Sequence, residues 1–167
     1  MNEFLITPTV TTNLKLQWTN ISDEAVGPWF ADLAAEYCAR YGPNGEFSGA
    51  NHEDFAAPDG GLLLVLRQHV AVAGGGFRRL DPQTAEIKRI WTHRSHRRQG
   101  LARLVLDTLE EAAVDAGYRR LWLVTGPRQP EAKALYLANG YRALFDSSVD
   151  TRLLRQLAFE KDISMNR

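Results

Sequence analysis

The sequence predicts a mixed α/β fold from three observations: strand-length apolar runs meander through the middle of the chain, one long amphipathic helix follows them, and strand and helix segments then alternate. Asn13 to Trp18 alternates apolar and polar residues as a first strand does. Ser22, followed by Asp23 and Glu24, starts a helical pattern carried by Val26, Phe30, Leu33, Tyr37 and Cys38, with Gly42 placed to end it. Pro43 to Gly61 is irregular and rich in Gly, Pro, Asn and Asp; loops of that length are often functional, and this one is a candidate lid. Leu62 to Arg67, Val70 to Arg78 and Thr84 to Thr92 read as three antiparallel strands, with Asp81-Pro82-Gln83 as turn chemistry between the last two. Within the second, Gly74-Gly75-Gly76 marks a bulge or a close backbone approach, read here as room for a substrate.

A basic loop, His93 to Gln99, leads into a helix from about Leu101 to Ala116, with Leu101, Leu104, Val105, Leu109, Ala112, Ala113 and Ala116 on one face and Gly117 closing it. Tyr118 to Thr125 is a β-branched and aromatic run, Pro130 to Asn139 a short helix ended by Gly140, and Leu157 to Ile163 a last strand. The order is β-α-β-β-β-α-β-α-β.

A chain of 167 residues fits one compact domain with a real core. Lysine plus arginine balances aspartate plus glutamate at 20 each, which gives the whole molecule no electrostatic attraction to nucleic acid or an anionic membrane. Nucleic-acid binding through His93 to Arg98 would want a broader basic surface with interleaved aromatics. The single cysteine, Cys38, excludes an internal disulfide framework and fits a reducing cytoplasm. Met1 to Val10 lacks the pattern of a signal peptide, and the longest apolar run, Leu62 to Leu66, is strand-sized.

The clearest chemistry lies at Thr92 to Ala102. Free N–H groups at a helix start, with Gly100 letting the chain come close, form an anion site that the helix dipole reinforces. Arg94, Arg97 and Arg98 add positive charge, which suits a diphosphate. Neither a Gly-x-x-x-x-Gly-Lys-Ser/Thr loop nor a Gly-x-Gly-x-x-Gly fingerprint is present. His93 and His96 have no third ligand nearby in sequence, so no metal is expected.

Three segments together carry a family resemblance: Ala85-Glu86-Ile87-Lys88-Arg89-Ile90-Trp91-Thr92, then Arg97-Arg98-Gln99-Gly100-Leu101-Ala102, then Gln129-Pro130-Glu131-Ala132 running to Leu135-Tyr136 and Asn139-Gly140-Tyr141. They closely resemble the GNAT superfamily of N-acetyltransferases. The resemblance implies a single domain over residues 1–167, with a central, mostly antiparallel sheet of six to seven strands flanked by helices and splayed at the fourth and fifth strands. It implies acetyl-CoA as co-substrate, gripped at its pyrophosphate by Arg97, Arg98, Gln99, Gly100, Leu101 and Ala102. Ile90, Trp91 and Thr92 would pair with the pantetheine arm, and one of their N–H groups would face the thioester carbonyl. Gln129 stands where the family usually has Asn. Tyr136 falls on the usual general-acid tyrosine, and Glu86 where several members carry a general base.

Acid–base logic then orders the chemistry. An alkyl amine is protonated at neutral pH, so a carboxylate, Glu86, takes a proton before nitrogen attacks. A strand N–H near Trp91 or Thr92 would stabilise the oxyanion, and Tyr136 would protonate the departing thiolate. Structural readings stand beside these: Glu86 shares an alternating strand face with Lys88, Ile90 and Thr92 and suits a cross-sheet ion pair, Tyr136 suits packing, and Trp29, Trp91 and Trp122 suit either an acceptor pocket or the core. The alternative function is a catalytically silent acyl-CoA sensor. The partners expected are acetyl-CoA and an amine acceptor, small molecule or protein; Glu46, Glu53, Asp54 and Asp59 are read as solvated, and an exposed sheet edge near the last strand could pair with a second copy.

Overall fold

The computed structural model describes residues 13–43 and 55–164. Residues 44–54, with Glu46, Glu53 and Asp54, and the amino-terminal segment 1–12 lie outside the described residues. Seven strands form one sheet: β1 (Leu14–Thr19), β2 (Gly61–Arg67), β3 (Val70–Asp81), β4 (Thr84–Thr92), β5 (Arg120–Thr125), β6 (Arg142–Ala143) and β7 (Leu157–Asp162), in the order β1-β2-β3-β4-β5-β7-β6. Among the described strands only β4 and β5 run parallel. Helices α1 (Val26–Tyr41), α2 (Leu101–Asp115) and α3 (Pro130–Ala138) flank the sheet.

The apolar face of α2 buries Leu101, Val105, Leu106, Leu109 and Ala113 against Leu63, Phe77, Ile87 and Leu121, forming the main core. On the opposite face Val26 and Trp29 of α1 pack with Phe55, Leu62, Leu64 and Trp91. The fully buried Trp29 stacks on Trp91, and its indole N–H donates to the Arg89 carbonyl at 3.2 Å.

Several expectations need correction. Helix α1 starts at Val26 rather than Ser22, because Asn20 and Asp23 accept from the backbone N–H groups of Ser22 and Ala25 at 2.9 Å each. Those bonds hold the segment in turns. The glycine run is not room for a substrate. A side chain at Gly75 would meet Ile90 and Val105 at 2.7 Å, and one at Gly76 would meet Phe55 at 2.7 Å, so core side chains fill the space the glycines leave. The sheet edge near the last strand is the short β6, which pairs Arg142 with Glu160 and Ala143 with Phe159 of β7. Two residues are too few to carry a strand pattern in a sequence.

The alternation along β4 also breaks. Lys88 pairs with Gly76 and Trp91 with Gly74, so Arg89 and Ile90 together oppose Gly75, and Arg89 takes a left-handed backbone, φ 61°. This bulge turns Ile90 towards α2 and returns Trp91 to the face that holds Glu86 and Lys88.

Candidate active site

Strands β4 and β5 pair only at Thr84, Ala85 and Glu86, which face Arg120, Leu121 and Trp122. Beyond Glu86 they diverge, and the bulge in β4 widens the gap. The resulting cleft, of about 1420 Å³, has Ile87 to Thr92 on one wall and Trp122, Val124, Thr125 and Gly126 on the other. It opens onto the start of α2 between α1 and α3.

At that start Gly100 adopts φ 76°, with no other group within 4 Å of where a Cβ would stand. No side chain caps the helix and no acidic residue occupies its first turn. Its first N–H groups and positive dipole end therefore lie beside the cleft with no side-chain cap among the described residues. Arg97, Arg98, Gly100, Leu101, Ala102 and Arg103 line this end. Arg97 reaches back to Glu36 of α1 at 3.2 Å, while Arg98 has no ion-pair partner among the described residues. Of the residues expected to hold the coenzyme, Gln99 alone turns away: its side-chain oxygen accepts from Arg67 at 2.7 Å, outside the cleft lining. Ile90, Trp91 and Thr92 line the β4 wall.

Gln129 sits at the turn into α3, where its Oε1 accepts from the Thr125 hydroxyl at 2.8 Å and the Gly126 N–H at 3.0 Å. It splints the end of β5, so its amide oxygen serves the protein first. Tyr136 points from α3 into the base of the cleft, buried against Tyr141 and Phe159. Burial alone pushes its phenol well above the ordinary tyrosine range. Beneath it Tyr141 donates to Glu110 at 2.9 Å, and Lys161 reaches the other oxygen of Glu110 at 3.0 Å, fixing the end of α3 to α2 and β7.

Glu86 lies on the other face of the sheet. Its buried carboxylate accepts from Arg78 Nε at 2.9 Å and Lys88 Nζ at 3.3 Å, so the cross-sheet pair is present and the residue also lines the cleft. The cleft thus brings Glu86 and Tyr136 to one space from opposite faces. Trp91 is anchored by Asp32 at 2.7 Å and lines the cleft, Trp122 lines it beside Glu86, and Trp29 is core. His93 accepts from the Ser95 N–H at 3.1 Å, and its ring stands 5.7 Å from that of His96; both histidines are half-buried rather than fully solvent-facing. Among the described residues no group of three His, Cys, Asp or Glu side chains could hold a metal.

Sequence reasoning missed the clamp at the cleft mouth. Arg40 of α1 bridges Glu36 at 2.9 Å and Glu131 at 2.6 Å, and donates to the Arg128 carbonyl at 2.8 Å. The i, i+4 spacing of Glu36 and Arg40 was visible, but the partner on α3 is a tertiary contact without local signal.

The parallel pair thus splays over an uncapped, glycine-led helix start and leaves an open cleft rich in cationic side chains. The acetyltransferase (GNAT) family model matches residues 20–141, and the chain belongs to that family. Among curated relatives, the Bacillus subtilis (strain 168) protein described as uncharacterized N-acetyltransferase YsnE is 39% identical over 70 residues. That match spans 41% of this chain and 46% of the relative, less than half its length. Among solved structures, a putative acyl-CoA N-acyltransferase from Klebsiella pneumoniae superposes with TM-score 0.71 at 23% identity, covering 90% of this chain and 97% of that one. A GNAT family acetyltransferase from Elizabethkingia anophelis with acetyl-CoA bound gives TM-score 0.62 at 14% identity over 90% and 99% of the two chains. These likenesses establish the fold.

Proposed function

We propose that the chain is one N-acetyltransferase domain that moves the acetyl group of acetyl-CoA to a primary amine by direct attack. The observation that carries this reading is the β4–β5 splay, which leads from the uncapped start of α2 down to Tyr136 and Glu86. The pyrophosphate would sit on the N–H groups after Gly100 with Arg97 and Arg98, and Arg97 would exchange Glu36 for phosphate oxygens. Pantetheine would run along Ile90 to Thr92, where the absent strand partner leaves room for a ligand edge.

In the reaction, the acceptor ammonium gives a proton to Glu86 and its nitrogen bonds to the thioester carbon. A β4 N–H near Trp91 or Thr92 stabilises the oxyanion, a contact of a kind worth about 3 kcal/mol. The carbon–sulfur bond then breaks, sulfur takes the phenolic proton of Tyr136, and the second amine proton is returned to the phenolate through solvent. One proton is released overall. The raised pKa of Tyr136 keeps it protonated at neutral pH, as an acid must be, and the same desolvation makes the emerging thiolate a stronger base. The lone cysteine, exposed Cys38, suits the cytoplasm.

Glu86 and Tyr136 favour an enzyme over a silent sensor. The test is acetyl-CoA turnover, followed by thiol release, across a panel of amines. Release that depends on an amine and on Tyr136 supports transfer; tight acetyl-CoA binding without release from any amine supports the sensor.

A further inference from the structure

Among the described residues, every carboxylate that lines the cleft already has a cation. Glu36 holds Arg97 and Arg40, Glu131 holds Arg40, and Glu86 holds Arg78 and Lys88. Against these three carboxylates stand six cationic side chains of the lining, Lys88, Arg89, Arg97, Arg98, Arg103 and Arg155. Arg98 and Arg103 lie at the phosphate end, whereas Lys88 and Arg89 stand on β4 near Glu86. Arg155 precedes β7 and has no ion-pair partner among the described residues.

Resting on the acetyltransferase reading of this cleft, we propose that the acceptor is an amine bearing its own anionic group, a carboxylate or a phosphate, and that Lys88 selects it. Glu86 and Lys88 are two residues apart on one face of β4, and both border the cleft. Arg78 is the cross-strand partner of Glu86 and makes the shorter contact, 2.9 Å, on Oε2. Lys88 makes the longer one, 3.3 Å, on Oε1, from a side chain only a quarter exposed. An arriving ammonium therefore takes the place of Lys88 on Oε1.

The consequence differs between two classes of amine. A diamine or a lysine in a basic peptide would put a third cation around one carboxylate and leave Lys88 half-buried without a counterion, which is unfavourable. A zwitterionic acceptor brings an anion for the displaced Lys88. One ion pair within the protein then becomes two between protein and acceptor, and no charge is stranded. The half-buried guanidinium of Arg89 adds to the positive field on this face, and Trp122, register partner of Glu86, offers apolar surface beside it. Selection of this kind works as much by rejecting the wrong charge as by holding the right one.

The experiment measures acetyl transfer from acetyl-CoA to L-amino acids, to aminoalkyl phosphates, to the carboxamide and alcohol counterparts of each, and to putrescine. Acetyl-CoA affinity is followed separately by calorimetry. The expected result is kcat/KM at least about tenfold higher for one anionic series than for its uncharged counterparts, the size expected of a charge-assisted hydrogen bond. The series that wins tells carboxylate from phosphate. Lys88→Met should erase the preference, and Lys88→Glu should turn it towards putrescine, with acetyl-CoA binding retained in both as the control for folding. Equal transfer to the uncharged counterparts, an unchanged preference in Lys88→Glu, or acetyl-CoA binding with no anionic amine acetylated would each overturn the assignment. Failure of acetyl-CoA to bind would instead overturn the transferase reading beneath it.

Discussion

Two glycine sites in this chain look alike as sequence and differ in what occupies the space they leave. In β3, Cβ atoms at Gly74, Gly75 and Gly76 would run into Trp29, Val105 and Phe55 at 2.7 to 2.9 Å. At the head of α2, a Cβ on Gly100 would meet nothing within 4 Å. The first set lets two helices and a loop residue press against the sheet, and the side chains that enter are the protein's own. The second keeps backbone donors open to the cleft in a left-handed conformation that favours glycine. Glycine signals a close approach in both places; only the three-dimensional surroundings say whether protein or ligand approaches.

That contrast implies that substitutions around the cleft should change activity with little loss of stability, and substitutions at the packed glycines the reverse. The largest effect is expected from Tyr136→Phe, which removes the proposed acid but keeps the ring packing. Its kcat should fall about 100-fold, with acetyl-CoA affinity nearly unchanged by calorimetry; retained turnover would take the tyrosine out of the reaction. Gly75→Ala should cost about 1–3 kcal/mol in urea unfolding through overpacking against Ile90 and Val105. The folded fraction should still bind acetyl-CoA, and a variant as stable as wild type would mean the space is not filled. Arg97→Ala should weaken acetyl-CoA about tenfold at low salt and less as salt rises. A stronger loss in high salt would speak against a phosphate contact.

The smallest effect concerns pH. Because burial raises the pKa of Tyr136 above the ordinary value of about 10, its acid form persists as pH climbs, and kcat should show no alkaline fall from this group up to about pH 10. A kcat profile that falls near pH 8 and loses that limb in Tyr136→Phe would contradict the burial argument.

Much of this was legible in the sequence. The three-stranded meander, the strand–loop–helix junction at Gly100, and α2 with Gly117 and most of its apolar stripe rest on local periodicity and turn chemistry, although Leu106, not expected on that stripe, is buried and Ala116, expected there, is exposed. The order of motifs pointed to the family. What escaped depends on partners far along the chain. The two-residue β6 exists because β7 offers it an edge, and the register shift in β4 is visible only against β3. Glu86 could be read as a base or as an ion-pair partner, and the structure shows the pair without removing the base. Gln99 belongs to the motif, yet its side chain turns to Arg67 on β2, a contact no spacing rule encodes.

For acetyl transfer as proposed, the open end of α2 must bind the pyrophosphate of acetyl-CoA. Calorimetric titration of acetyl-CoA and free CoA into wild type and Gly100→Glu tests it most directly, with near-UV circular dichroism to confirm that the variant is folded. The substitution sets a carboxylate at the proposed phosphate site, in space that is open. Both ligands should bind wild type and neither the folded variant. Equal binding to both proteins would contradict the placement of the site, and no binding to wild type would contradict the acetyltransferase reading.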